Sequence, residues 1–103
     1  MNNHTALVNS LRLRLSEMGC ISMLNVTGMF WRKTETGYVP VRVGNKGWPD
    51  IIGFTKSGQF FGVEAKTGSG VLSPEQRNFR TVATANNAIF IEARSVADLE
   101  VLK

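Results

Sequence analysis

The sequence predicts one α/β domain in which a mixed β-sheet is flanked by α-helices. Its 103 residues are the length of a single domain. Apolar residues make up 43% of the chain and charged residues 19%, which is typical of a globular protein rather than a disordered one. Segments with helical and strand patterns follow one another in the order α-β-β-β-β-β-α-β-α. Helices placed in this way are expected to cover the faces of a sheet.

The first half of the chain is predicted to form a helix and three strands. Apolar residues recur at three- and four-residue steps over residues 4–18, and Gly19 then ends the helix. Residues 21–26 read as the first strand. Two further strands are expected at residues 29–33 and 38–43, because a glycine-containing turn separates them.

The next two predicted strands form a β-hairpin, since apolar runs at residues 50–55 and 59–66 flank the segment Lys56-Ser57-Gly58. If Asp50 lies opposite Glu64, both side chains leave the same face of the hairpin. A slip of one residue would send Asp50 to the other face. The favourable register requires a three-residue loop at residues 56–58 with Gly58 in the left-handed region.

A second helix is predicted to start at Ser73, which would be its N-cap. Pro74 suits the first helical position, and Gln76 has the spacing of a capping box. A strand at residues 88–92 and a short final helix, capped by Ser95, complete the predicted order.

Composition excludes several classes of protein. No apolar run approaches the roughly 18 residues that a membrane helix needs, and the start Met1-Asn2-Asn3-His4 lacks the pattern of a secretory signal. The single cysteine, Cys20, excludes an internal disulfide and a multi-cysteine zinc site. We therefore expect a cytoplasmic protein. Its net charge of +4 and pI of about 9.7 favour a polyanionic partner.

Asp50, Glu64 and Lys66 carry the chemistry of the predicted hairpin. Residues two apart in a strand share a face, so Glu64 and Lys66 emerge together. Buried charges are costly unless they are paired or bound to a metal. An isolated Glu-x-Lys is most often an ion pair within one strand, and that interpretation stays open. A second carboxylate at Asp50 favours a site for a hard divalent cation such as Mg²⁺.

The residues around this hairpin resemble a known nuclease family. Pro49-Asp50 followed by Glu64-Ala65-Lys66 is similar to the core motif of the PD-(D/E)XK nuclease superfamily. Residues 47–53, 62–66 and 72–76 resemble the VRR-NUC family in order and spacing, and the similarity covers nearly the whole chain. It is strongest to the small stand-alone members found in phages and prophages, which would place the protein in a bacterial host cell.

This resemblance implies a single VRR-NUC-like nuclease domain, residues 1–103, with a restriction-endonuclease-like core and metal-dependent hydrolysis of DNA phosphodiester bonds. Asp50, Glu64 and the backbone carbonyl of Ala65 would bind Mg²⁺ or Mn²⁺. Lys66 would be the catalytic lysine. Gln76 would be an accessory polar residue of the active site as well as part of the helix cap.

His4 marks a departure from the family pattern, because family members usually have a glutamate near the start of the first helix. The apolar stripe of that helix also includes His4. It is therefore a candidate metal ligand, and an imidazole suits Mn²⁺ better than Mg²⁺. The alternative is a frayed N-terminal histidine with no role at the site.

The candidate contacts to DNA are basic residues, which bind phosphates: Arg32, Lys33, Arg42 and Lys46. The small polar segment 25–28 precedes them and would allow close approach of the backbone. The family resemblance further implies a homodimer that cleaves four-way junctions or other branched DNA, with Phe30, Trp31 and Tyr38 as candidate dimer contacts. Packing in the core is the alternative role of these aromatic residues.

Two other functions stay open at this point. A non-catalytic nucleic-acid-binding module with the same fold would bind DNA without cleaving it. A small structural protein, in which Glu64 and Lys66 form only an ion pair, would bind neither metal nor DNA.

Overall fold

A computed structural model describes residues 2–26 and 28–102. Its helices are α1 (Asn3–Glu17), α2 (Pro74–Ala85) and a C-terminal 3₁₀ helix (Val96–Leu102). Its strands are β1 (Ile21–Leu24), β2 (Gly28–Thr34), β3 (Gly37–Val43), β4 (Ile51–Phe54), β5 (Phe60–Ala65) and β6 (Ile89–Ala93). The order predicted from the sequence is confirmed, and the bounds differ by a few residues at the ends of elements.

The main sheet has four strands in the order β1-β4-β5-β6. β4 is antiparallel to both β1 and β5, and β6 is parallel to β5. The sheet is therefore mixed, as the sequence predicts, and the protein belongs to the α/β class. No helix in the described part of the chain is long and apolar enough to cross a membrane.

The main core lies between α1, the 3₁₀ helix and one face of this sheet. Three residues of α1, Val8, Leu11 and Leu15, are buried at the helical spacing that predicts them. They belong to one cluster with Leu99 of the 3₁₀ helix and with buried side chains from strands β4, β5 and β6, including Ile51, Phe61, Val63 and Ile91. Burial of this apolar surface holds the sheet rigid beneath the residues that leave its other face.

Helix α2 covers part of that other face. The ring of Phe79 lies 6.1 Å from the ring of Phe90 on β6. The predicted cap is confirmed, because the Ser73 hydroxyl accepts from the Gln76 N–H at 3.2 Å and the Gln76 side chain accepts from the Ser73 N–H at 2.8 Å. Ser95 is the predicted cap of the 3₁₀ helix. There the carboxylate of Asp98 accepts from the N–H groups of Arg94 and Ser95.

Strands β2 and β3 form a separate two-stranded hairpin. Apart from each other, no described helix or strand packs extensively against them. The molecule measures 52 × 33 × 28 Å and its radius of gyration is 15.3 Å, against about 13 Å for a compact domain of this length. The hairpin accordingly exposes aromatic side chains that one 103-residue chain would normally bury.

Candidate active site

The register of the β4–β5 hairpin places the two motif carboxylates side by side. Ile51 pairs with Val63 and Phe54 with Phe60, so Asp50, one residue before β4, lies opposite Glu64. The Thr55 N–H donates to the Gln59 carbonyl, and Gly58 has φ +86°. The predicted three-residue loop with a left-handed Gly58 is therefore confirmed.

Asp50 and Glu64 are locked together through the backbone. The Asp50 N–H donates to Oε1 of Glu64 at 3.1 Å, and the Ala65 N–H donates to Oδ2 of Asp50 at 2.9 Å. The backbone of Asp50 thus holds the Glu64 carboxylate, and the backbone of β5 next to Glu64 holds the Asp50 carboxylate. Among the described residues, Oδ1 of Asp50 accepts no hydrogen bond, which leaves that oxygen available to a ligand.

Lys66 and Gln76 complete the cluster at the second carboxylate oxygen of Glu64. The Gln76 Nε2 donates to Oε2 at 2.8 Å, and the Lys66 Nζ lies 3.3 Å from the same oxygen. Because the Gln76 Oε1 accepts from Ser73, a single side chain caps α2 and contacts Glu64. The structure therefore brings Gln76 to the predicted site without removing its capping role.

Glu64 is the one buried charged residue in the described part of the chain, at 3% exposure. Burial raises the pKa of its carboxyl above the ordinary 4.5, and repulsion from Asp50 adds to this effect. Lys66 acts in the opposite direction, through its charge and its hydrogen bond. Burial and the repulsion between the two carboxylates thus both disfavour the ionised form of Glu64. A bound cation would reduce this repulsion.

His4 reaches the site from the first turn of α1. Its Nε2 lies 3.2 Å from Oδ2 of Asp50, and the ring is about half exposed. The N-cap of α1 fixes this turn, because the Asn2 side chain accepts from the Thr5 N–H at 2.7 Å. The structure therefore places His4 beside Asp50, and its role as a metal ligand stays a prediction.

The donor set suits a hydrated magnesium ion rather than an all-protein metal cage. Within residues 2–26 and 28–102, no group of three or more His, Cys, Asp or Glu side chains is arranged to hold a metal ion. Mg²⁺, however, is usually bound by one or two carboxylates and keeps several waters. Asp50, with its available oxygen, and Glu64 fit that requirement, and Ala65 lies beside them on β5.

The predicted DNA contacts do not form one cluster. Arg32, Lys33 and Arg42 are exposed on the β2–β3 hairpin, where Lys33 and Arg42 share one face and Arg32 lies on the other. Lys46 is separate from them, in the loop before Asp50, with its Nζ 3.5 Å from the Glu75 carboxylate. Of the polar segment 25–28, Thr27 lies outside the described residues.

Asn25 has a structural contact that its sequence context did not indicate. Its N–H donates to the Asp50 carbonyl at 2.8 Å, and its Nδ2 donates to the carbonyls of Asn45 and Trp48 at 3.4 Å each. These bonds tie the loop before Asp50 to the end of β1. An asparagine just after a strand is too common a feature to reveal such a brace from the sequence.

The arrangement includes the ion pair that the structural alternative predicts, since Glu64 and Lys66 are in contact. That alternative leaves the other parts of the cluster unexplained. It gives no reason for a second carboxylate at Asp50, for the Gln76 amide on Glu64, or for His4 on Asp50.

Comparisons with known proteins add no family assignment. No protein-family model matches the chain, and no curated protein gives a significant match. The interpretation of the site therefore depends on its geometry and on its sequence motifs.

Proposed function

We propose that the chain is a metal-dependent DNA endonuclease of the VRR-NUC type, with a restriction-endonuclease-like core. The observation that carries this proposal is the meeting of Asp50, Glu64, Lys66 and Gln76 at one end of the β4–β5 hairpin. Two carboxylates and a lysine on a rigid sheet, next to a polar side chain from a helix, are the groups that phosphodiester hydrolysis requires.

In this proposal Asp50, Glu64 and the carbonyl of Ala65 hold Mg²⁺ or Mn²⁺, and His4 is a further ligand or a partner that orients Asp50. A divalent cation at such a site acts as a Lewis acid towards a phosphate oxygen and lowers the pKa of bound water. The interlocked backbone hydrogen bonds keep the two carboxylates at a fixed separation before the ion binds, which reduces the cost of binding.

The remaining residues act on the substrate and on the carboxylates. Lys66, whose side chain is 17% exposed, orients the attacking water and stabilises negative charge as the phosphate is attacked. Gln76 holds Glu64 in position from α2. Asn25 keeps the loop that carries Asp50 closed against β1.

We further propose that two copies of the chain act together on branched DNA. Phe30, Trp31 and Tyr38 are 52%, 66% and 66% exposed on the β2–β3 hairpin, so they do not pack in the core of their own chain. Trp31 and Tyr38 share one face of the hairpin and Phe30 lies on the other. Large exposed apolar surfaces typically mark an interaction site. A twofold dimer through this hairpin would present two active sites in the symmetric relation that paired cuts in a four-way junction require.

Basic residues of the same hairpin would then contact the DNA backbone beside the dimer interface. Arg32, Lys33 and Arg42 supply this charge, and Lys46 contributes it nearer the site. Such contacts give affinity with little dependence on sequence.

A panel of end-labelled DNA substrates tests the proposal. Wild-type protein, incubated with Mg²⁺ or Mn²⁺, is expected to cleave a four-way junction faster than a linear duplex of the same sequence, and EDTA is expected to stop both reactions. Equal cleavage of the two substrates would contradict the proposed preference for junctions and would still support the nuclease activity. Binding of DNA without cleavage in either metal would support the non-catalytic alternative.

A further inference from the structure

A groove of about 680 Å³ runs along α2 on the face of the sheet that carries the candidate active site. One wall is a stripe of α2 with a four-residue repeat, formed by Pro74, Asn78, Val82 and Asn86. This stripe extends over about 18 Å, at roughly 1.5 Å per helical residue. The opposite wall includes Trp48 and Phe60.

The groove contains an open aromatic surface. The Trp48 ring packs on Phe79, with ring centroids 4.9 Å apart, and meets Phe60 edge-on at 6.3 Å. Trp48 is nevertheless 41% exposed, so part of the indole faces solvent. An aromatic ring that packs against other rings on one side and is exposed on the other provides a surface on which a flat ring can stack.

Two amide side chains, Asn78 and Asn86, also line the groove. The side chain of Asn78 makes no hydrogen bond to another residue in the described part of the chain, and Asn86 uses its Nδ2 to donate to the Val82 carbonyl, at 2.8 Å. An amide can both donate and accept, which matches the edge of a nucleobase. Lys46, which also lines the groove, forms an exposed ion pair with Glu75 at 3.5 Å, and contact with a phosphate would replace that pair.

The groove lies beside the candidate active site, although Asp50, Glu64, Lys66 and Gln76 are not part of its lining. Trp48 is followed by Pro49 and then by Asp50, and Pro49 is buried. Helix α2 carries Gln76 to Glu64 and, one turn later, Phe79 to Trp48. A DNA strand held at the carboxylates would therefore bring its neighbouring nucleotides to the groove.

We propose that this groove binds an unpaired DNA base, which stacks on Trp48 with its edge towards Asn78. The proposal rests on the nuclease function proposed above and deepens it, because it assigns a second determinant of substrate choice. The protein would select DNA in which a base next to the cleaved bond is already unstacked, since such a base enters the groove without the cost of being unpaired.

Binding to two fluorescein-labelled duplexes, identical except for one bulged base, tests this assignment by fluorescence anisotropy without divalent metal. Wild-type protein is expected to prefer the bulged duplex by about five- to a hundredfold, the effect of one base stacking on an aromatic side chain. Trp48→Ala is expected to lose this preference. Phe54→Ala is the matched control, because Phe54 is an aromatic residue of the same sheet face, 52% exposed, outside the groove.

A second measurement does not depend on the fold of Trp48→Ala. Trp31 and Trp48 are the two tryptophans of the chain, so a Trp31→Phe protein reports on Trp48 alone. Addition of a short single-stranded oligonucleotide should quench its fluorescence, and a fully paired duplex should quench it less. Equal quenching by both, or an unchanged bulge preference in folded Trp48→Ala, would overturn the proposal.

A second copy of the chain is the competing occupant of the groove. In that case Trp48→Ala would change the mass of the DNA-free protein in light scattering and would leave no bulge preference to lose, which would also overturn the proposal. The nuclease function is judged separately by cleavage in Mg²⁺. If the protein prefers the bulged duplex but does not cleave it, the proposed base-binding site is supported and the proposed nuclease function is contradicted.

Discussion

At the scale of single residues, Glu64 combines a proposed role as a metal ligand with a cost in stability. It is buried on the central strand β5, beside Asp50, and its pKa is raised by that environment. An ionised carboxylate in such a place opposes folding. The proposed metal site would use the ionised form of this carboxylate.

We expect Glu64→Gln to abolish cleavage and to stabilise the metal-free protein by about 1 kcal/mol at neutral pH. Because the folded pKa lies above the ordinary 4.5, the folded protein binds more protons than the unfolded chain between the two values. The contribution of Glu64 to the free energy of unfolding therefore falls as pH rises through that interval. The advantage of the variant should be small below the ordinary pKa of 4.5 and should grow as pH rises above it.

Thermal unfolding curves of wild type and Glu64→Gln across this pH range measure the effect. Added Mg²⁺ should raise the melting temperature of the wild type and not that of the variant, since only the wild type keeps both carboxylates. A variant that is less stable at every pH would show that Glu64 is needed for structure alone.

Gln76 allows its two contacts to be separated by substitution. Gln76→Glu keeps an oxygen that can accept from the Ser73 N–H, but it loses the amide that donates to Glu64 and adds a third carboxylate. We expect this variant to lose most cleavage and to be about 1–3 kcal/mol less stable than wild type at neutral pH, because the new carboxylate replaces a donor 2.8 Å from Glu64. Chemical denaturation and initial cleavage rates measure both. Wild-type activity in Gln76→Glu would show that Gln76 acts only as a helix cap.

The residue-scale features differ in how far the sequence predicts them. Asp50, Glu64 and Lys66 follow from motif spacing. The capping role of Gln76 follows from the signature of the capping box, and its place in the candidate site is expected from the family resemblance. The Asn25 brace and the aromatic groove around Trp48 do not follow from the sequence, because they join residues from different elements. Such contacts depend on how α2 and the loop before Asp50 pack on the sheet, and no local pattern encodes that packing.

At the scale of elements, the β4–β5 hairpin is the best-determined part of the fold. Its loop length and the left-handed Gly58 fix the register, and the register fixes the face from which Asp50 and Glu64 project. The separation of β2 and β3 from the main sheet was not predicted, because strand patterns show that a segment is extended but not which neighbour it pairs with.

Gly62 on β5 should be intolerant of a side chain for a reason that connects this element to the site. A Cβ there would lie 2.5 Å from Cγ of Pro49, the buried residue next to Asp50. We expect Gly62→Ala to cost about 1–3 kcal/mol of stability and to reduce cleavage more than its stability loss explains. Gly37→Ala is the control, because a Cβ at Gly37 would meet nothing within 4 Å. The backbone at Gly37 has φ +142°, so this variant also carries backbone strain, but no steric contact.

Denaturation curves and cleavage rates, measured where both variants are fully folded, decide the point. Full activity of folded Gly62→Ala would show that the position of Pro49 does not control Asp50. Lost activity in Gly37→Ala as well would show that any perturbation of a strand has this effect.

At the scale of the whole molecule, the elongated shape and the exposed hairpin are the features that one chain does not explain. We expect light scattering at micromolar concentration to give twice the 11.3 kDa mass of the chain. Replacing Trp31 and Tyr38 by serine should yield monomers. Leu13→Ser is the control, since Leu13 is 64% exposed on α1. A monomeric wild type, with and without junction DNA, would contradict the dimer.

The central claim is that Lys66 is a catalytic residue of a nuclease rather than the partner of a structural ion pair. Single-turnover cleavage of a labelled four-way junction in Mg²⁺, by wild type and by Lys66→Ala, tests it most directly when DNA binding is measured on the same samples. We expect the wild type to cleave, and the variant to bind normally but to cleave about 10²–10³-fold more slowly. Wild-type cleavage by Lys66→Ala, or cleavage that EDTA does not reduce, would contradict the claim.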